Sequence, residues 1–162
     1  MKISVTWHSP MRLRLPVSRM HERFDFEELP TEPAIYLFAR RFGVSVEALY
    51  VGKATSLRSR IKQQFNNLKL MQAIDDASIG HRLLIYGTPN CRPGQRSEAV
   101  LDIVERALID YLTEEGHQLI NKLGTKLPVD LIEFDGNRWA MRATGRHLRV
   151  PKRRGRAIRD GG

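Results

Sequence analysis

A single cysteine, Cys91, stands in the 162 residues, so no internal disulfide can form. That usage fits a reducing compartment, and a cytoplasmic location is expected. No apolar run approaches the roughly 18 residues that a membrane span needs, which excludes the membrane as a partner. The opening MKISVTWHSPMRLRLP lacks the continuous apolar segment of a secretory leader, so none is expected. The histidines (His8, His21, His81, His117, His147) share no metal-ligand spacing with one another or with Cys91, which argues against zinc. No helix-turn-helix, zinc finger or repeat is present. Acidic residues are missing from one long stretch: between Arg138 and Arg159 there are nine Lys or Arg and no Asp or Glu. Since the whole chain carries a formal net charge of +9, the remainder sums to zero and the basicity is local.

What is there centres on Ala34 to Phe65, AIYLFARRFGVSVEALYVGKATSLRSRIKQQF. AIYLFAR reads as a half-buried strand, with Ile35, Leu37 and Ala39 alternating against Tyr36 and Phe38. RFGVS is a turn, and VEALYVG a second alternating run, with Val46, Ala48 and Tyr50 on one face and Leu49 and Val51 on the other. Gly52 ends that strand, and Thr55 or Ser56 is placed to cap a helix from Leu57. Leu57, Ile61, Phe65 and Leu68 follow the spacing of a buried helical stripe, flanked on one side by Arg60 and Gln64 and on the other by Arg58 and Lys62. Two tyrosines, Lys53 after a glycine turn and Arg60 on the next helix would converge at one sheet edge. Such a cluster suits a phosphate.

These residues resemble the GIY-YIG endonuclease family. Ala34-Ile35-Tyr36 stands where that family has its first triplet and Tyr50-Val51-Gly52 where it has its second, each departing at one position (Ala34 for Gly, Val51 for Ile). The run Tyr50-Val51-Gly52-Lys53-Ala54, followed by Leu57 and Arg60, is similar to the nuclease half of the bacterial nucleotide excision repair enzyme. Two further family positions, a helix-borne glutamate and an asparagine, have plausible counterparts downstream in Glu105 and Asn121. The resemblance covers about residues 30–125.

Before this region, Pro10, Pro16, Pro30 and Pro33 break residues 1–29 and their lead-in into pieces, with KISVTW as a short strand. This arm either touches substrate through Arg12, Arg14 and Arg19 or packs on the sheet with those arginines solvated. After Phe65 the sequence predicts a short helix over Leu68 to Ala77, a third strand at HRLLIYG, and a Gly/Pro-punctuated loop. A helix then runs through SEAVLDIVERALIDYLTEEG, with Ser97 as cap and Gly116 as stop. Leu101, Val104, Leu108 and Leu112 form its stripe, and Glu105 projects within that apolar face. A carboxylate so placed needs a cation or hydrogen bonds. Without the resemblance, the plain reading is a stripe-edge glutamate that reaches solvent or pairs with an arginine.

Asn121 lies in the following connection, where its amide can bond backbone or phosphate. LIEFDGNRWAMR predicts a hairpin turning at Asp135-Gly136-Asn137, with Trp139 packed on the domain, base stacking being the alternative. From Arg146 the chain is expected to be a disordered basic tail that favours nucleic acid, through Arg149, Lys152, Arg153 and Arg154 among others. The expected architecture is α/β (α+β): a small three-stranded antiparallel sheet flanked by helices, with a C-terminal hairpin and a basic tail. Its divisions are 1–29, 30–125, 126–145 and 146–162.

The resemblance implies a DNA endonuclease that uses Mg2+ or Mn2+ and no small-molecule cofactor. Glu105 would hold the divalent ion and Arg60 would donate to the scissile phosphate. Tyr36 would orient or deprotonate the attacking water, with Tyr50 beside it. Gly52, Lys53, Gln64 and Asn121 would contact or support the substrate. Gln64 departs from the family, which commonly has a titratable tyrosine or histidine one turn after the arginine. That departure keeps a binding module on the same fold, one that does not cut, as the alternative.

Overall fold

In the computed structural model, residues 2–121 and 131–149 are described. Seven strands form one mixed sheet: β1 (Lys2–Trp7), β2 (Met11–Leu13), β3 (Ala34–Phe42), β4 (Ser45–Ala54), β5 (His81–Pro89), β6 (Leu131–Gly136) and β7 (His147–Arg149). Their order is β4-β3-β5-β1-β6-β7, with β2 paired to β5 off that path. Four α-helices accompany them: α1 (Leu57–Phe65), α2 (Leu68–Asp75), α3 (Ser97–Glu114) and α4 (Arg138–Thr144).

The sheet is thus larger than the expected three strands. The α+β class stands, but residues 2–13, read as an arm, supply β1 and β2. β1 lies between β5, antiparallel, and β6, parallel, with Lys2 opposite Leu131 and Trp7 opposite Gly136. The arginines of this segment, Arg12, Arg14 and Arg19, are exposed.

The expected hairpin is a strand, a helix and a strand. Gly136 ends β6 with φ +95°, Asn137 N donates to Trp7 O at 3.1 Å, and Asn137 Oδ1 accepts from Trp139 N at 2.9 Å. An Asp-Gly-Asn run suits a hairpin turn, but asparagine is equally a helix cap. The cap wins because Ala140, Ala143 and Thr144 bury one face of α4 at helical spacing. β7 then pairs with β6, so the first residues of the expected tail belong to the sheet; residues 150–162 lie outside the described residues.

Both faces of the sheet are covered, which is why Ala34 to Ala39 are all buried and the strand is not half-exposed. Ile35, Leu37, Ala48, Val51 and Ile85 pack against Leu101, Val104, Leu108 and Leu112 of α3. On the other face Tyr36, Phe38 and Leu49 pack against Leu57, Ile61 and Phe65 of α1 and Leu70, Met71 and Ile74 of α2. Leu68 is 71% exposed and opens α2, outside the stripe assigned to it. No helix among the described residues is long and apolar enough to cross a membrane.

Candidate active site

The site is built on the β3–β4 pair. Phe38 pairs with Tyr50 and Ala39 with Ala48, so Leu49 is an extra residue on β4. Such a bulge breaks the two-residue alternation and re-aims the side chains beyond it. Leu49 and Tyr50 consequently both face α1, while Ala48 and Val51 face α3. Simple alternation had put Tyr50 with Val46 and Ala48. The bulge places it beside Tyr36, their rings stacked with centroids 6.2 Å apart.

Gly52 pairs with Tyr36 across the ladder. A Cβ on Gly52 would meet Tyr36 Cζ at 2.3 Å and the hydroxyl at 2.4 Å. The glycine is therefore needed for space, and what approaches it is the phenol of Tyr36.

Gln64, expected on the flank of α1, is buried at 8% exposure. Its Nε2 donates to Tyr36 Oη at 2.7 Å and to Tyr50 Oη at 3.2 Å, tying the two hydroxyls together. Burial drives the Tyr36 pKa well above that of an ordinary phenol. The Gln64 hydrogen bond and the charge of Arg60 lower it, while Tyr50 raises it further. Tyr36 is hence a neutral phenol near pH 7, suited to orienting a group and opposed to ionising.

On the opposite face Lys53 meets two carboxylates of α3. Its ammonium contacts Asp102 and lies 3.6 Å from Glu105 Oε2. The Glu105 side chain is only 13% exposed. Desolvation pushes its pKa up, countered in order by Lys53, Arg106 and Arg60. Arg60 acts on both Tyr36 and Glu105, so the end of the sheet brings the groups of both faces into one field. Arg60 itself is exposed and reaches Gln63 Oε1 at 3.4 Å. Between the first turns of α1 and α3 lies a cleft of about 310 Å3, lined by Lys53, Thr55, Ser56, Ser59, Arg60 and Glu98.

The start of α1 is fastened without a side-chain cap. Leu57 N and Arg58 N donate to Glu32 O and Pro30 O, each at 3.1 Å, which satisfies amides that Thr55 or Ser56 was expected to serve. α3 likewise begins without a capping side chain.

Asn121 points at backbone. Its Nδ2 donates to Val51 O at 2.6 Å and its Oδ1 accepts from Val51 N at 3.1 Å. With Ala48 N donating to His117 Nδ1 at 2.9 Å and Ile120 N to Leu49 O at 2.7 Å, residues 117–121 close the outer edge of β4. His117 is held neutral, its pKa lowered by burial and only partly restored by Glu47 and Glu115.

Arg149 does not belong to this cluster: it lies on β7, the last strand of the order that begins with β4. Lys152, Arg153 and Arg154 fall outside the described residues. Asp102 was missed in the sequence, although it sits one turn before Glu105 on the shoulder of the same stripe. Among the described residues no three His, Cys, Asp or Glu side chains gather as a metal cluster. The oxygen donors at the site are Glu105 and Asp102. Magnesium and manganese need only one or two carboxylates, completed by water and substrate oxygens; the pair meets that count, with the Lys53 ammonium now standing where a cation would bind.

No family model matches the chain, and no solved structure matches it significantly. Two curated relatives do: UvrABC system protein C from Anaeromyxobacter dehalogenans strain 2CP-1 and from strain 2CP-C, each 50% identical over 44 residues. The matched stretch is 27% of this chain and only 6% of either relative.

Proposed function

We propose that this chain is a DNA-processing protein that hydrolyses phosphodiester bonds with the help of Mg2+ or Mn2+. The observation that carries the reading is the convergence of Tyr36, Tyr50, Arg60, Lys53 and Glu105 at one end of the sheet, contributed by both faces. The short match to UvrABC system protein C supports it.

Phosphodiester hydrolysis needs an oriented water, neutralisation of charge on the phosphate, and help for the leaving oxygen. Arg60, exposed at the cleft, offers a planar pair of donors to the non-bridging oxygens. Gln64 donates to both phenols, so Tyr50, the less buried, keeps its own O–H for a water or a phosphate oxygen. Glu105, with Asp102 beside it, would hold the divalent ion, which supplies Lewis-acid stabilisation when bound. Lys53 balances these carboxylates. Asn121 and Gly52 act indirectly, the first by fastening the edge of β4 and the second by admitting Tyr36.

A panel of plasmid, linear, single-stranded and branched DNA, each with Mg2+, Mn2+ or EDTA, tests this reading. Cleavage is expected only with the metals, and Glu105→Gln should lower it at least about 100-fold while leaving DNA binding intact. Cleavage in EDTA, or an unaffected variant, would remove the metal from the reading.

One observation favours a second reading, a module that binds DNA without cutting. Gln64 cannot titrate and Tyr36 is biased against ionising, so the tyrosine cluster holds no ready base. The same panel separates the two, since a binding module retains DNA without products under every condition.

The basic tail is read as a DNA arm. Because Arg149 belongs to β7, the informative truncation is after Val150, which removes Lys152, Arg153, Arg154, Arg156 and Arg159. Each phosphate contact adds roughly 0.9 to the slope of log affinity against log salt, so losing three to five contacts should flatten that slope by about 2.7 to 4.5 units. A salt titration on one short duplex measures it; an unchanged slope would reassign the tail to another partner or to solubility.

A further inference from the structure

We propose that α4 and the adjoining end of β3 form a second DNA contact that grips the phosphate backbone about one helical turn from the candidate active site. The inference rests on the DNA-processing reading above, but it concerns residues that reading does not use. Trp139 carries two arginines on its ring. The Arg41 guanidinium carbon lies 4.0 Å from the ring centroid and that of Arg142 lies 4.8 Å from it. The negative face of an indole attracts each cation. It also holds two like charges no farther apart than those distances together, which makes a third, anionic partner favourable.

Among the described residues no such partner pairs with them. None of the ion pairs among the described residues involves Arg41, Arg138, Arg142 or Arg146. Arg40, the neighbour of Arg41 in β3, differs: its Nε donates to Glu47 Oε2 at 2.8 Å. A cavity of about 710 Å3 adjoins the patch, with Arg138, Arg142 and Arg146 facing Glu133 and Asp135 across it. Glu133 is already held by Lys2 at 2.9 Å, so the balance there is positive as well. Arg138, Arg142 and Arg146 are exposed.

Arg142 Nη1 donates to Val44 O at 3.0 Å, fixing α4 to the β3–β4 turn. From Val44 to Lys53 the edge strand runs nine residues, roughly 30 Å at about 3.3 Å each. A turn of duplex spans about 34–36 Å. DNA lying along this edge would therefore present the same side of its backbone to the cleft and to the patch. The Trp139 ring is already taken up by its two arginines, so the contact reads charge and not bases.

The test is binding of the full chain to a labelled 20-base-pair duplex in EDTA, by fluorescence anisotropy across a salt series. Two double variants are compared with the parent: Arg41→Gln with Arg142→Gln, and Arg138→Gln with Arg146→Gln. Each is expected to flatten the salt slope by about 1.8 units, 0.9 for each lost phosphate contact, equally for unrelated sequences. Should the first pair melt early because Trp139 loses its packing, the exposed second pair carries the result. Slopes unchanged in the folded variants, losses confined to particular sequences, or no duplex binding by the parent would each overturn the proposal. Flattened slopes from a chain that cuts nothing in the metal panel would support the patch and sink the nuclease reading alone.

Discussion

Gly52→Ala is expected to lower stability by about 3 kcal/mol and to cut phosphodiester cleavage at least tenfold. The added methyl would sit 2.3 Å from Tyr36 Cζ, and Tyr36, 1% exposed, has nowhere to retreat. Overpacking of this kind costs about 1–3 kcal/mol. If the phenol swings away, the Gln64 amide loses its 2.7 Å acceptor, adding roughly 1 kcal/mol or more for a buried donor left unmet. The backbone is no obstacle, because Gly52 is not among the positive-φ glycines. A double-mutant cycle in urea with Tyr36→Ala checks the cause. With the ring gone, Gly52→Ala should become neutral or stabilising by about 0.4–1 kcal/mol, since alanine restricts the unfolded chain more. A cost that persists without the ring would mean that something other than Tyr36 demands the glycine.

Arg82→Met should cost about 3 kcal/mol or more. Arg82 is 3% exposed, and its guanidinium gathers backbone carbonyls from the end of α2 and from the turn that follows it. It donates to Ile74 O at 2.8 Å, Ala77 O at 2.7 Å, Gly80 O at 2.9 Å, Ser78 O at 3.0 Å and Asp75 O at 3.4 Å. Methionine fills the volume and donates nothing, leaving several partly buried acceptors unsatisfied at about 1–3 kcal/mol for each that water cannot reach. Lysine keeps the charge but has three donors on one atom, so Arg82→Lys should fall between. The Asp75 carboxylate, which accepts from Val17 N at 2.7 Å and Ser18 N at 3.2 Å, would loosen with the end of α2. Urea midpoints for the three proteins test the order Arg, Lys, Met; equal midpoints would show that water replaces the guanidinium.

The parts of this fold legible in the sequence are the local ones. The succession of β3, β4 and α1 follows from periodicity and from Gly52, and α3 from its apolar stripe. The bulge at Leu49 was invisible, because Ala48, Leu49 and Tyr50 are all compatible with either face and nothing in their identity marks an extra residue. Gln64 looked like a flank residue because an amide is ordinarily wet. Two hydroxyls, that of buried Tyr36 on β3 and that of half-buried Tyr50 on β4, make its burial tolerable. The Asp135-Gly136-Asn137 run is ambiguous between turn and cap, and the choice depends on Ala140, Ala143 and Thr144 finding a face to bury against, which no local pattern can announce. At the candidate site the tyrosines, Lys53, Arg60 and Glu105 were legible through joint spacing, whereas Asp102 needed the position of Lys53 to stand out.

The pairing of β1 with β6 has a consequence in time. During synthesis Trp7 is made 129 residues before Gly136, its opposite number in the ladder. At about 5–20 residues per second the interval is roughly 6 to 26 seconds. Until then Ile3, Val5 and Trp7, each no more than 2% exposed in the finished protein, have an open edge on a nascent chain. Antiparallel β5 arrives earlier and can shelter one side of β1, but the other waits for β6. Completion of this sheet therefore waits on its late strands, and a ribosome stalled before residue 131 would hold a chain whose β3–β4 pair can form while one edge of β1 still lacks its partner.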